Sequence, residues 1–154
     1  MITLRQGTEA DVQTLQRLND EVFVDNAQYD DDLVIDWAQS DKGKEYFTKL
    51  LTSPDAICYI AEDGDKAVGY IACAKKVIGY RKSTHLEIEN MGVSPAYQSK
   101  GIGTMLMDKA KQWAKAHGYQ RLYVNSYIHN VKAIAFYQYN GFVKMDMGLE
   151  MKLL

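Results

Sequence analysis

The chain has 154 residues, of which 47% are hydrophobic and 25% are charged, a composition typical of globular domains. This length suits a single core, so we expect residues 1–154 to form one domain. No window is long and apolar enough to cross a bilayer, and residues 1–13 lack the basic and apolar pattern of a secretory signal. We therefore expect a cytoplasmic protein that does not bind membranes.

The formal net charge of −2 is unevenly distributed along the chain. Eight acidic residues and no Lys or Arg lie between Asp20 and Asp41, which leaves a formal charge of +6 on all other residues. A chain without a basic helix or an Arg-rich arm is a poor candidate for nucleic-acid binding. The acidic segment favours a cationic partner, and a solvated acidic loop is the alternative.

The two cysteines, Cys58 and Cys73, lie within apolar runs. Their spacing is typical of neither a metal site nor a redox motif. We therefore expect both cysteines to be reduced residues of the core, and we expect no metal site.

The first half of the chain predicts two helices and an antiparallel meander. Alternating and helical apolar periods place a strand at 2–6, helices at about 9–24 and 42–51, and strands at 56–62, 67–77 and 84–93. Thr8 and Asp11 form a capping-box pattern at the start of the first helix. Gly64 lies between two of these strands, where it suits the tight turn of a hairpin.

The second half predicts a crossover and a terminal hairpin. Its elements are a helix at about 101–117, a strand at 121–127, a short helix at 131–140, and strands at 142–146 and 149–154 joined at Met147 and Gly148. A strand, a helix and a strand in succession predict one parallel pair. The fold class is therefore α/β, with a mixed, mostly antiparallel central sheet of about seven strands, about four helices and a parallel pair at the centre.

A glycine turn precedes the long helix of the second half. Gly101 and Gly103 stand at its amino end, where unpaired N–H groups and the helix dipole attract anions. The turn is thus a candidate phosphate site, and a tight structural corner is the alternative. Two nucleotide motifs are absent, because Leu106 replaces the third glycine of the dinucleotide fingerprint and Ile102 follows Gly101 where a P-loop needs lysine.

Two motifs resemble those of the GCN5-related N-acetyltransferases. The run "VSPAYQSKGIG" at 93–103 is similar to the acyl-CoA binding motif of that family at Gln98, Gly101 and Gly103. The run "NVKAIAFYQYNGF" at 130–142 is similar to the second signature of the family at Asn130, Ala133, Tyr137, Gly141 and Phe142. The order of the predicted elements also matches the family over nearly the whole chain.

The resemblance implies acetyl-CoA as cosubstrate and a site built from three segments. The pyrophosphate would lie on the glycine turn, the pantetheine arm along the central strand where two parallel strands splay apart, and the sulfur beside Tyr137. A backbone N–H of the central strand would stabilise the oxyanion. The implied contact residues are Met91, Gly92, Val93, Gln98, Ser99, Lys100, Gly101, Ile102, Gly103, Thr104, Asn130, Ala133 and Tyr137.

Three side chains are candidates for the proton transfers of acyl transfer. The resemblance implies that Tyr137 protonates the departing thiolate, and a core aromatic residue is the alternative reading. Glu87 and Glu89 are candidate bases for the amine. Because both have the same parity as Met91 and Val93, we expect all four side chains on one face of the strand. An open, solvated cleft wall is the alternative for the two acids.

Asn130 has two compatible interpretations. Its position before the short helix suits an N-cap, worth about 1 kcal/mol. The resemblance adds a contact with coenzyme A.

The leading hypothesis is an acetyl-CoA dependent N-acetyltransferase that acts on a primary amine of a small molecule or peptide in a ternary complex. A coenzyme A sensor without catalysis is the alternative, and a nucleotide-dependent oxidoreductase ranks third. We also expect a cationic acceptor and a homodimer formed through the terminal hairpin.

Overall fold

A computed structural model describes all of residues 1–154, and a five-stranded sheet forms its centre. The strands are β1 (Ile2–Gln6), β2 (Ala56–Asp63), β3 (Lys66–Lys76), β4 (His85–Val93) and β5 (Arg121–Val124), which neighbour one another in this order. All neighbours are antiparallel except β4 and β5, which are parallel. The predicted α/β class with one parallel pair is confirmed.

Four helices cover the two faces of the sheet. They are α1 (Val12–Asn26), α2 (Asp41–Thr52), α3 (Ile102–Ala116) and α4 (Val131–Tyr139). Short 3-10 turns occupy Glu9–Asp11, Trp37–Gln39 and Pro95–Tyr97. All four predicted helices are confirmed, and none of them has the length and apolar character needed to span a membrane.

The sheet separates two apolar cores. The core under α3 contains Ile71, Cys73, Leu86, Ile88, Leu106 and Met107, and the core under α1 and α2 contains Leu15, Leu18, Phe47, Cys58 and Tyr70. Both cysteines are buried and unpaired, as the sequence predicts. Burial raises the pKa of the Cys58 thiol to about 12, so this thiol stays protonated and unreactive at neutral pH.

A β-bulge interrupts β4 at Glu89. Ile88 lies opposite Cys73 and Asn90 lies opposite Ala72, so Glu89 is an extra residue in β4. An extra residue resets the alternation of side chains along a strand.

The bulge changes which side chains share a face. Ile88 before it and Met91 and Val93 after it all pack against the core under α3, although their parity differs. Glu87 is paired with Ala74, whose side chain packs against the core on the other face. The prediction that Glu87, Glu89, Met91 and Val93 share one face is therefore wrong.

The terminal hairpin is absent from the structure. Residues 143–154 belong to no strand, and none of the backbone hydrogen bonds of the chain involves them. The sheet accordingly has five strands rather than the predicted seven or so. An alternation of apolar and polar residues predicts a strand, but a strand forms only when its backbone pairs with another strand, and the pattern does not ensure that pairing.

Candidate active site

The glycine turn presents a row of free backbone amides. The first backbone bond of α3 runs from the N–H of Met105 to the carbonyl of Gly101, at 3.1 Å. No hydrogen bond is donated by any backbone N–H from Ser99 to Thr104. Six consecutive free amides at the amino end of a 15-residue helix are an arrangement suited to an anion such as a pyrophosphate.

The backbone of this turn explains its glycines. Ser99 and Gly101 have φ values of +60° and +84°, a region that favours glycine. At Gly103 an added Cβ would lie 3.3 Å from the Phe136 ring, so glycine lets α3 approach α4 closely. Gly101 thus shapes the turn, and Gly103 fixes the packing of the two helices beside it.

β4 has an open edge next to this turn. β4 and β5 pair only from His85 with Arg121 to Ile88 with Val124; from Glu89 to Val93, β4 has no partner on the β5 side, although it stays paired with β3. The N–H of Ser94 donates to the carbonyl of Val68 on β3, at 2.8 Å. Because backbone groups alternate sides along a strand, the N–H groups of Met91 and Val93 point toward the open edge.

Gln98 occupies part of that edge. Its Nε2 donates to the carbonyl oxygen of Val93 at 3.0 Å, which ties the turn to the end of β4. Lys100 instead lies over the Tyr97 ring, with Nζ 5.4 Å from the centroid. The sequence motif predicts coenzyme contacts at both residues, and the structure gives Gln98 a structural role as well.

Tyr137 lies on α4 with a free hydroxyl group. Its ring packs edge-on against Phe142, with centroids 5.6 Å apart, and the hydroxyl makes no hydrogen bond within the chain. Burial raises the pKa of Tyr137 to about 12. The phenol therefore keeps its proton at neutral pH and is available as an acid.

Glu89 is held by a partner that the sequence did not reveal. The Tyr46 hydroxyl, on α2, donates to the Glu89 carboxylate and accepts from Asn90 Nδ2 at 3.1 Å. Burial and the bond to Glu89 raise the pKa of Tyr46 well above its usual value. Periodicity places Tyr46 on the inner face of α2, but nothing in the sequence pairs this face with the bulge.

Glu87 stands apart from these groups. Its carboxylate forms an ion pair with Lys76 Nζ at 3.4 Å, on the face opposite Met91. Lys76 also lies over the Tyr123 ring, 4.9 Å from its centroid. Of the two acids that the sequence nominates, Glu89 is the better placed.

One open cleft of about 1820 Å³ brings most of the nominated residues together. Its lining includes Glu89, Met91, Gly92, Val93, Gln98, Asn130, Ala133 and Tyr137. The turn from Ser99 to Thr104 follows Gln98 in the chain, but these six residues, like Glu87, are not part of the lining. Asn130 caps α4, since its Oδ1 accepts the N–H of Ala133 at 3.1 Å, as predicted.

The acidic segment also reaches the cleft. The Tyr127 hydroxyl, from the loop after β5, donates to Asp30 at 2.8 Å, and the Tyr127 ring stacks on Tyr29 with centroids 5.9 Å apart. We call this contact the tyrosine bridge. Trp37 instead stacks on Phe23 and packs against the core, which leaves Tyr29 as the aromatic cleft residue of the segment.

His85 is not at the catalytic end of the cleft. It begins β4, opposite Arg121, and it is 2% exposed with neither ring nitrogen bonded. Burial, with Arg81 nearby, lowers the pKa of His85. His85 is therefore a buried residue of the sheet, whereas His129 is exposed.

The amino-acid sequence matches a known protein family. The sequence model of the acetyltransferase (GNAT) family matches residues 13–142. The chain belongs to the GNAT family. This membership confirms the resemblance drawn from the two motifs.

Individual relatives extend the comparison. An uncharacterized N-acetyltransferase of Methanocaldococcus jannaschii is 30% identical over 103 residues, which cover 66% of this GNAT chain and 46% of the relative. N-alpha-acetyltransferase RimI of Mycobacterium tuberculosis is 27% identical over 146 residues, which cover 95% of the chain and 81% of RimI. The chain thus spans about half the length of the archaeal relative and most of RimI.

A solved structure supports the fold. AAC(6')-Iy, in complex with the bisubstrate analog CoA-S-monomethyl-acetylneamine, superposes with a TM-score of 0.76 at 16% identity and covers 100% of this chain and 99% of its own. At this identity the likeness confirms the GNAT architecture.

Proposed function

We propose that this GNAT chain transfers an acetyl group from acetyl-CoA to a primary amine of a small molecule or peptide. One observation carries the proposal: six free amides of the glycine turn directly follow the open edge of β4, and that edge lines the same cleft as Tyr137. This arrangement suits a pyrophosphate, an extended pantetheine arm and a reacting thioester, in that order along the cleft. Family membership and the coenzyme analog bound to AAC(6')-Iy support acetyl-CoA as the donor.

The chemistry needs two proton transfers in one ternary complex. An alkylamine resembling lysine has a pKa near 10, so Glu89 takes its proton, directly or through water. The amine nitrogen then attacks the thioester carbonyl carbon, and the backbone N–H of Met91 or Val93 stabilises the oxyanion. The C–S bond breaks as the C–N bond remains, and Tyr137 gives its proton to the thiolate. Tyr137 then takes up the surplus proton of the attacking nitrogen, directly or through water, which leaves the amide, free coenzyme A and a protonated Tyr137.

A cationic acceptor fits the charge of the cleft. Carboxylates from α1 and the loop after it line the cleft beside Tyr29, namely Glu21, Asp25, Asp30 and Asp31, and no Lys or Arg lies in this segment. The basic residues of the lining come from other parts of the chain, mainly near the start of β4 and the end of α3. We therefore favour a polyamine, an aminoglycoside or a basic peptide end as acceptor.

The proposal is tested by thiol release from acetyl-CoA across a panel of polyamines, aminoglycosides, amino acids and peptide amino termini. We expect at least one cationic amine to stimulate release strongly over a neutral amine of similar size. A coenzyme A sensor would instead be stabilised by acetyl-CoA without release in the presence of any amine. Action in the cytoplasm and self-association of the chain stay predictions.

A further inference from the structure

Basic side chains gather where β4 and β5 begin. In the register of the sheet, Lys76 of β3 lies opposite His85 of β4, and His85 lies opposite Arg121 of β5. Paired residues of neighbouring strands point to the same face, so these three side chains form one row across the sheet. Arg81 comes from the loop that joins β3 to β4. We call Arg81, His85 and Arg121 the basic cluster, and all three line the cleft.

Two members of the basic cluster have no partner within the chain. His85 is buried, and neither of its ring nitrogens is hydrogen-bonded. Arg81 is half-buried and takes part in no ion pair. Because buried polar groups are almost always hydrogen-bonded in folded proteins, the unpaired ring indicates a ligand that the chain itself does not supply. Burial, together with the charge of Arg81, lowers the pKa of His85, so at pH 7 the neutral ring offers one N–H donor.

The acids near the basic cluster are already engaged. The carboxylate of Glu87, two residues after His85 on the same face, pairs with Lys76 Nζ at 3.4 Å. Asp146 approaches from the C-terminal residues, and its Oδ2 lies 3.4 Å from the Tyr123 hydroxyl. The charges of Lys76 and Glu87 cancel, which leaves the two guanidinium groups of the cluster without a counter-charge. A negatively charged ligand is therefore favoured there.

Hydrogen bonds between the loop and β5 hold the donors in place. The N–H of Thr84 donates to Gln120 Oε1 at 2.9 Å, and the N–H of Gln120 donates to Thr84 Oγ1 at 3.1 Å. Arg121 Nε donates to Ser83 Oγ at 3.1 Å, so the two terminal nitrogens of this guanidinium stay free for a ligand. Donors that are positioned before binding cost little conformational entropy when the ligand arrives.

We propose that Arg81, His85 and Arg121 bind a tetrahedral dianion, either inorganic phosphate or the phosphate group of a small metabolite. The guanidinium groups and the ring N–H donate to different oxygens of the anion, in charge-assisted hydrogen bonds. Two unpaired positive charges match the charge of a dianion better than that of a single carboxylate. β4 runs for roughly 25 Å from His85 to Val93, so this site is separate from the glycine turn. The inference goes beyond the proposed activity.

Titration with sodium sulfate, followed by NMR of the histidine rings, tests the proposal. Sulfate has the shape and charge of the phosphate dianion, and sodium chloride keeps the ionic strength constant. The chain has three histidines, and His117→Gln and His129→Gln assign the signals by elimination, since both residues are exposed. We expect saturable shifts of the His85 signals and none at the other two rings. Acetyl-CoA and amine are absent, so the outcome is independent of the proposed activity.

Variants of the guanidinium groups locate the anion. Arg81→Gln and Arg121→Gln should each raise the dissociation constant for sulfate at least tenfold, because each loses a charge-assisted bond. Lys82→Gln is the matched control: it removes one charge from the same loop at an exposed side chain and should change the constant less than twofold. Circular dichroism of each variant verifies the fold.

Inorganic phosphate and glycerol 3-phosphate distinguish the two sources of the anion. Binding of the ester at least tenfold more tightly than phosphate identifies a phosphorylated metabolite as the ligand, and any smaller ratio identifies free phosphate. The proposal is overturned if excess sulfate leaves the His85 signals in place, as it would by binding at the glycine turn alone. Equal shifts with sodium acetate, or undiminished sulfate binding in Arg81→Gln, would also overturn it.

Discussion

At the scale of single residues, the proposed mechanism depends on Tyr137 for delivery of a proton to the thiolate. Its hydroxyl is free of protein partners, and the thiolate needs a proton as it leaves. We expect Tyr137→Phe to lower kcat by about 10²-fold, because a positioned acid contributes on this scale, and to change the KM for acetyl-CoA less than twofold. Tyr139→Phe, an exposed tyrosine on the same helix, is the matched control. An unchanged kcat would remove Tyr137 from the mechanism.

The pH dependence follows from the same residue. Burial raises the pKa of Tyr137 to about 12, so the acid is protonated below that pH and is lost only as the pH rises through it. We expect kcat/KM to rise from about pH 7 to about pH 10 as the amine loses its proton, without a fall caused by Tyr137. A decline of activity in this range that Tyr137→Phe abolishes would contradict this assignment.

In the proposed mechanism, Tyr46 is a positioning residue for Glu89. Its hydroxyl bonds to both the Glu89 carboxylate and the Asn90 side chain, which fixes the position of the carboxylate. We predict that Tyr46→Phe lowers kcat/KM for the amine by about tenfold, less than the roughly 10²-fold loss expected for Glu89→Gln, because the carboxylate is still present but no longer held. The KM for acetyl-CoA should not change in either variant. If kcat/KM of Tyr46→Phe equals that of the unaltered enzyme, Tyr46 has no such role.

At the scale of elements, we propose that the contact between α3 and α4 determines the geometry of the coenzyme site. The amides of the turn begin α3, and Tyr137 lies on α4, with Gly103 against Phe136 where the helices meet. Gly103→Val should push the helices apart and reduce the rise in melting temperature that acetyl-CoA produces by at least half. Gly79→Ala, where an added Cβ meets nothing within 4 Å, is the control and should behave as the unaltered chain. If acetyl-CoA raises the melting temperature of Gly103→Val as much as that of the unaltered chain, the contact between the two helices does not affect coenzyme binding.

The tyrosine bridge connects two further elements across the cleft. Burial and Asp30 raise the pKa of Tyr127 to about 12, so its hydroxyl donates throughout the neutral range. Tyr127→Phe should increase hydrogen exchange in residues 27–36 and alter the KM of the amine more than that of acetyl-CoA. The reverse order of effects would place the bridge on the coenzyme side of the cleft.

At the scale of the whole molecule, sequence patterns predict the structural features that are determined by residues close together in the chain. The four helices, the parallel pair and the glycine turn follow from apolar periods, capping residues and glycine positions. The bulge at Glu89 does not follow from the sequence pattern, because an alternation of apolar and polar residues does not reveal which residue of a strand is unpaired. Tyr46 with Glu89, and Tyr127 with Asp30, are contacts between distant segments that a single sequence does not encode locally. The predicted strands at 142–146 and 149–154 are absent for a related reason, since alternation does not determine the edge on which a strand pairs.

The central claim is acetyl transfer to an amine within one ternary complex, and product stoichiometry tests it most directly. Enzyme, acetyl-CoA and the best amine of the panel are mixed, and free coenzyme A and the acetylated amine are quantified together by mass spectrometry. We predict one acetylated amine for each coenzyme A released, no acetylated enzyme when the amine is omitted, and slow formation of both products by Tyr137→Phe. Binding of acetyl-CoA without any acetylated amine, or an acetylated enzyme that forms before the amine is added, would contradict the account.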